Sequence, residues 1–229
     1  MNIFLILAKS NSLGLADKHL QIVNNETLLE RELRDVLSKN CFDQYYISSD
    51  SIKILDIAKR FNFKCIKRPE SLTSNDEYLN SVKHAINNIK GSISTITISQ
   101  VVQPLKSKNI YKKILGKHKK NVDSVVTATK FNSSPNWIYK KKGKSLINAK
   151  SVKYENIISR ENDLYEIDNK IVSFTYASFI KWKSITPWPY LGEKIIFIED
   201  VVLNPNLRVD INSKEDLDWF RIVKEKLID

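Results

Sequence analysis

Apolar positions along this chain follow two alternating rhythms. Continuous or period-two apolar runs of strand length occur at Ile3–Ala8, Tyr45–Ser48, Phe63–Ile66, Ile93–Ser99 and Val122–Thr129. Between them lie stretches with a helical stripe. Thr27–Lys39 carries Leu28, Leu29, Leu33, Val36 and Leu37 on one side, and Asp76–Ile89 carries Val82, Ala85, Ile86 and Ile89. Ile52–Phe61 follows Ser49-Asp50-Ser51, which reads as its cap, and Asn109–His118 completes the series. Repeated strand-then-helix units predict an α/β protein with a mostly parallel sheet sandwiched by helices.

The rhythm loosens after residue 130. Asn132–Tyr154 is polar and rich in lysine, with turns expected at Ser133-Ser-Pro-Asn136 and Lys142-Gly-Lys144. Strand-like segments return at Ile171–Tyr176 and Lys194–Ile198. The expectation is one domain over 1–229, with a β-rich excursion over 130–176 that serves as a lid or a dimerisation arm. Near the end, Val209 and Ile211 alternate with Asp210 and Asn212, as in a strand. Ser213 then opens a last amphipathic helix through Leu217, Phe220, Ile222, Val223 and Leu227, with Asp216 placed like the acid of a capping box.

Composition narrows the class. The 229 residues are enough for a substantial core. No apolar run approaches the roughly 20 residues of a spanning helix, and Met1-Asn-Ile-Phe lacks the basic start of a secretory leader. Cys41 and Cys65 have neither metal nor redox spacing, which predicts free thiols and a cytoplasmic protein. The net charge of +11 comes from lysines spread through the chain rather than gathered in a nucleic-acid signature, so a small polyanionic substrate is expected instead of nucleic acid or membrane.

Two segments carry candidate chemistry. The first strand breaks into Lys9-Ser-Asn-Ser-Leu-Gly-Leu-Ala-Asp-Lys18. Small residues there let backbone N–H groups approach an anion, and Lys9 and Lys18 can neutralise it. The same stretch also reads as an ordinary loop with solvated lysines. Asp210 and Asn212 put two oxygen ligands on one face, a donor type that suits Mg2+ completed by substrate phosphates. On the residues alone they read first as polar residues at a strand-to-helix junction.

Ile6-Leu-Ala-Lys-Ser-Asn-Ser-Leu-Gly-Leu-Ala-Asp-Lys-His-Leu20 resembles the nucleotide-binding opening of the CMP-N-acylneuraminate synthetases. Further segments keep that family's order: Cys41-Phe-Asp with Ile47-Ser-Ser-Asp50, Lys67-Arg-Pro-Glu-Ser-Leu72, Ser99-Gln100 with Pro104-Leu-Lys106, Asp123-Ser-Val-Val126 and Val209-Asp-Ile-Asn-Ser-Lys-Glu-Asp-Leu217. The resemblance implies a Rossmann-like nucleotide-diphospho-sugar transferase fold and a homodimer. It also implies transfer of CMP from CTP to a sialic-acid-like 2-keto sugar acid with release of pyrophosphate. By the same resemblance, Ala8, Lys9, Asn11, Ser12, Lys18 and Arg68 would bind the nucleotide and Gln100 the acidic sugar. Asp210 and Asn212 would hold Mg2+, and Lys9, Lys18 and Asp210 would form the catalytic set.

The departures concern recognition. Lys9 replaces an arginine, Leu13 a lysine, His19 an asparagine and Asn212 an aspartate. Val101-Val-Gln103 replaces Pro-Thr-Ser, Leu79 stands for a serine that reads cytosine, and Phe174-Thr-Tyr-Ala177 stands for an Asn-Gly-Ala motif. These changes leave two other readings open. One is a cytidylyltransferase of the same fold with a phosphonate or phosphorylated polyol as acceptor. The other is a degenerate homologue that binds nucleotide without turnover.

Overall fold

The computed structural model of the chain describes residues 1–10, 12, 14–74, 78–130, 139–142, 145–148, 165–181, 191–202 and 207–225. In chain order the elements are β1 (Asn2–Leu7), a short hairpin of β2 (Ile22–Val23) and β3 (Glu26–Thr27), α1 (Leu28–Leu37), β4 (Gln44–Ser49), α2 (Ile52–Arg60), β5 (Lys64–Lys67), α3 (Tyr78–Asn87) and β6 (Thr95–Ser99). They continue with α4 (Ile110–Lys117), β7 (Ser124–Lys130), a hairpin of β8 (Tyr139–Lys142) and β9 (Ser145–Asn148), β10 (Tyr165–Thr175), α5 (Tyr176–Lys181), β11 (Ile195–Glu199) and α6 (Lys214–Glu225).

Strand alternation builds a core on each face of the sheet. Along β1, Phe4 and Ile6 enter one cluster with side chains of α1, α2, α4 and α6. Ile3 and Leu5 enter the other with Val82, Ala85 and Ile86 of α3. All four β1 side chains are fully buried. The expected sheet, covered on both faces, is therefore present. Its order is β11-β7-β10-β6-β1-β4-β5. The pairs β6/β1, β1/β4, β4/β5 and β11/β7 are parallel, and β10 runs antiparallel to both of its neighbours.

Several boundaries move for physical reasons. Thr27 caps α1 instead of starting it: its hydroxyl accepts from the Glu30 N–H at 3.1 Å, and the Glu30 carboxylate accepts from the Thr27 N–H at 2.9 Å. The expected Ser49-Asp50-Ser51 cap is present, with α2 starting at Ile52 and the Ser51 side chain accepting from the Ile54 N–H. The far end of the stretch expected as an excursion, Tyr165–Thr175, is a central strand of the main sheet. Its bulge between Ile167 and Val172 puts polar residues where a regular strand would show apolar ones. Of the expected polar turns, 133–136 and 143–144 lie outside the described residues. Leu207–Asn212 forms no sheet ladder. A backbone bond from the Ile211 N–H to the Val102 carbonyl at 2.9 Å ties it to the fold, together with side-chain bonds of Arg208 and Asn212. Burial still alternates there, with Val209 and Ile211 in the core and Asp210 and Asn212 outside.

The box at the start of α6 forms as expected: the Asp216 carboxylate accepts from Ser213 N–H at 2.8 Å, and the Ser213 hydroxyl accepts from Asp216 N–H at 3.1 Å. Leu217, Phe220 and Val223 are buried, but Ile222 is half-exposed, outside the stripe. Cys41 and Cys65 are free thiols. No helix among the described residues is long and apolar enough to cross a membrane.

Candidate active site

The loop after β1 leaves the sheet at the carboxyl ends of β4 and β5, and side chains from both fix its start. Ala8 is fully buried. Its N–H donates to the Ser48 carbonyl at 3.0 Å, and its own carbonyl accepts from Arg68 Nη2 at 2.7 Å. Both backbone groups of this expected nucleotide-binding residue are thus committed within the protein. Asp50 accepts from the Ser10 N–H at 3.1 Å and from the Ser10 hydroxyl. It also lies 3.6 Å from the Arg68 guanidinium, with both side chains more than nine-tenths buried. Burial alone would raise the Asp50 pKa. The Ser10 bonds and Arg68 outweigh it and hold the carboxyl below its ordinary value. Asp50 is therefore a tether of the loop, a role hidden behind its resemblance to a helix cap.

The far end of the loop meets the carboxyl-terminal part of the chain. Lys18 Nζ donates to Asn212 Oδ1 at 3.1 Å. Gly14 approaches the Asn212 backbone so closely that a Cβ there would sit 2.1 Å from the Asn212 carbonyl oxygen. Lys9 Nζ donates to the Thr73 carbonyl at 3.2 Å. Burial lowers the Lys18 pKa, Asp210 partly restores it, and Lys9 lowers it again, for a net shift downward. His19 is buried, and desolvation, helped by Lys18, pushes it to about 4. At neutral pH it is an uncharged wall residue.

These groups open on one cleft of about 770 Å3. Lys9, Lys18, Arg68, Gln100, Asp210 and Asn212 all line it. The cationic loop and the acid some 200 residues later in sequence therefore share a cavity. Asn11 lies outside the described residues. The Ser12 hydroxyl is buried without a hydrogen-bond partner. Leu79, noted for its departure from the family pattern, also lines the cleft.

Gln100 is positioned by a charge pair that sequence reading missed. Its N–H donates to the Lys170 carbonyl at 3.0 Å, and its carbonyl accepts from Lys106 Nζ at 2.8 Å. Lys106 Nζ is 2.7 Å from the Glu32 carboxylate, which also accepts from the Ser99 and Tyr111 hydroxyls. Glu32 and Lys106 are both buried at the side chain. Burial lowers the Lys106 pKa and raises that of Tyr111.

No group of three or more His, Cys, Asp and Glu among the described residues is placed to hold a metal. The carboxylate lining the cleft is that of Asp210, and the Asn212 amide oxygen beside it already accepts from Lys18. This set fits Mg2+ when substrate phosphates complete the coordination, and does not make a cage by itself.

A mostly parallel sheet whose first β-to-α loop turns lysines toward a lone carboxylate, in a cleft of about 770 Å3, fits a nucleotidyltransferase site. A cytidylyltransferase family profile matches residues 3–178, and the chain belongs to that family of CTP-dependent transferases. Similar solved structures agree in fold. CMP:2-keto-3-deoxy-manno-octonic acid synthetase complexed with CTP matches with a TM-score of 0.71 at 9% identity, covering 98% of each chain. The 4-diphosphocytidyl-2C-methyl-D-erythritol synthase of Anaerococcus prevotii matches with a TM-score of 0.66 at 16% identity, over 97% of this chain and 98% of that one.

Proposed function

We propose that this cytidylyltransferase moves CMP from CTP to a sialic-acid-like 2-keto sugar acid, in the cytoplasm, with Mg2+ as cofactor and as a homodimer. The acceptor assignment rests on the ordered resemblance to the CMP-N-acylneuraminate synthetases. It is supported by the likeness to an enzyme whose name specifies a 2-keto-3-deoxy sugar acid. The observation that carries the proposal is the single cleft joining Lys9 and Lys18 to Gln100 and Asp210.

In this reading the anomeric hydroxyl oxygen attacks the α-phosphorus in line, its proton is released, and the bond to the β-phosphate oxygen breaks. No covalent nucleophile of the protein is required. Lys9 and Lys18 hold the phosphates and neutralise charge that grows on the departing pyrophosphate. Gln100 faces the acceptor from a backbone fixed by Lys106. Asp210 and Asn212 would hold Mg2+, which supplies further charge neutralisation on the triphosphate.

The test follows pyrophosphate release from CTP and Mg2+ with three acceptors: N-acetylneuraminate, 2-keto-3-deoxy-octonic acid and 2-C-methyl-D-erythritol 4-phosphate. Release with the keto acids is expected. Release with the phosphorylated polyol alone would move the protein to the second reading, which the methylerythritol synthase likeness keeps in play. Tight CTP binding with no release from any acceptor would identify a non-catalytic homologue.

A further inference from the structure

A second cavity of about 280 Å3 lies beside the main cleft. Gln103, Asn169 and Asp210 line both. Asn169 sits in the β10 bulge with φ of 60°, a left-handed bend that few residues other than glycine adopt and that asparagine tolerates best. Its Oδ1 is buried and accepts no hydrogen bond. Such a group costs free energy until a donor reaches it.

The polar groups flanking Asn169 in the bulge are already matched. The Asp168 carboxylate accepts from the Thr127 and Thr129 hydroxyls and from the Lys170 N–H. The Asp168 carbonyl accepts from Gln103 Nε2 at 2.9 Å. Lys170 Nζ is bound to the Asp200 carbonyl at 2.8 Å and to its carboxylate at 3.3 Å. Arg208 pairs with Glu166. Both cations of the small cavity are thus neutralised by neighbouring acids, whereas the unsatisfied atom is a neutral acceptor that calls for an N–H or O–H donor. Phosphate has no surplus positive charge to meet here. A hydroxyl suits the site.

We propose that Asn169 is a specificity-determining residue: its amide oxygen accepts from a hydroxyl on the acceptor's uncharged polyhydroxyl tail, and the small cavity receives that tail. This rests on the acceptor reading above and deepens it. The acid end of the acceptor then lies toward Lys9 and Lys18, and the hydroxylated end crosses Asp210 into the second cavity. Acceptors carrying phosphate on the tail are disfavoured, because Glu166, Asp168 and Asp200 line the cavity that would receive it.

Asn169→Gly tests the claim, since glycine keeps the left-handed bend and removes only the side chain. Steady-state pyrophosphate release is measured for wild type and variant, varying CTP and the hydroxylated keto acid separately. The keto-acid KM should rise roughly fivefold, the worth of one hydrogen bond, with the CTP KM unchanged. Analogues of the same acid, each lacking one tail hydroxyl, identify the partner. For one of them, wild type should show the loss already and the variant should add none. Equal keto-acid KM values in wild type and variant would overturn the proposal and leave the acceptor reading standing. So would a CTP KM that rises in step, because Asn169 would then act on the fold of the cleft. Saturation-transfer NMR with the CTP-loaded enzyme covers the remaining outcome. If wild type neither binds nor turns over any hydroxylated keto acid, the acceptor reading fails and this proposal falls with it.

Discussion

Replacing Asp50 by asparagine removes one charge and almost no volume, so its effects isolate what that charge does. In wild type the carboxylate holds the first turn of the loop after β1 through Ser10 and faces Arg68, whose side chain is 4% exposed. Asparagine can still accept from the Ser10 N–H, but the guanidinium keeps only the Ala8 carbonyl at 2.7 Å. Breaking a buried pair by removing one partner costs about 3–5 kcal/mol, and the retained Ser10 bond argues for the lower end. At ~2–4 °C per kcal/mol for a chain of this size, ~3 kcal/mol lowers Tm by about 6–12 °C. The loop also loses its anchor, so the CTP KM should rise in the same variant.

The acid dependence follows from the direction of the pKa shift. A carboxyl held below its unfolded value stabilises the fold above that value, about 3.9, and loses the contribution as pH falls through the depressed folded value. The Tm gap between wild type and Asp50→Asn should therefore be full at pH 7 and close only under acid conditions below about pH 4. Adding Arg68→Met to Asp50→Asn should recover part of the lost Tm, because the stranded charge is gone. Thermal unfolding across pH with CTP kinetics at pH 7 reads all of this. A variant melting within about 1 °C of wild type with an unchanged CTP KM would refute the tether argument, because even one net hydrogen bond is worth more.

Lys18→Ala should leave Tm near wild type and lower kcat/KM for CTP about 10- to 100-fold, the loss expected for one charge-assisted contact. Because the Lys18 pKa is lowered, the positive charge is lost as pH rises at values below the 10.5 of an ordinary lysine. The alkaline limb of kcat/KM for CTP should lie there and vanish in Lys18→Arg. Gly14→Ala forces the loop away from the Asn212 carbonyl. It should cost about 1–3 kcal/mol of stability, read by denaturant unfolding, together with a higher CTP KM. Asp210→Asn should raise the Mg2+ concentration for half-maximal pyrophosphate release roughly tenfold, with Tm little changed.

The regular part of this fold was legible because its residues obey one rhythm at a time. In β1 the apolar run is unbroken, and in α1 and α6 the stripe follows a clean start signal. The bulged strand was only half legible. Glu166, Asp168, Asn169 and Lys170 are polar because they face cavities and one another, and their run masks a strand that continues to Tyr165. Nothing local marks Glu32 within Leu28–Leu37, because its partner Lys106 lies 74 positions away. No local pattern reports a pairing of that span. Asp50 sat in a Ser-Asp-Ser run whose last serine does the capping, and only the folded loop shows the aspartate turned back toward Ser10. Lys9 and Lys18 stood out in a loop of small residues, and Asp210 and Asn212 by alternation, but only the family resemblance joined these two segments to Arg68 and Gln100.

The neutral residue at position 212 gives the cleft its character. Lys18 donates to the Asn212 amide at 3.1 Å and feels the charge of Asp210, and among the described residues it forms no ion pair with a carboxylate. An amide holds the lysine in place without cancelling its charge, so in the proposed reaction an arriving triphosphate would compete with one neutral hydrogen bond for this cation. A carboxylate at 212 would hold Lys18 more firmly and offer a metal a second anionic ligand, while reducing the field that draws the nucleotide in. In the proposed reaction, asparagine would shift phosphate neutralisation toward the protein's own lysines and away from Mg2+. Asn212→Asp should make the enzyme bind Mg2+ more tightly and free CTP less well, and opposite movement of those two constants is the signature of that exchange.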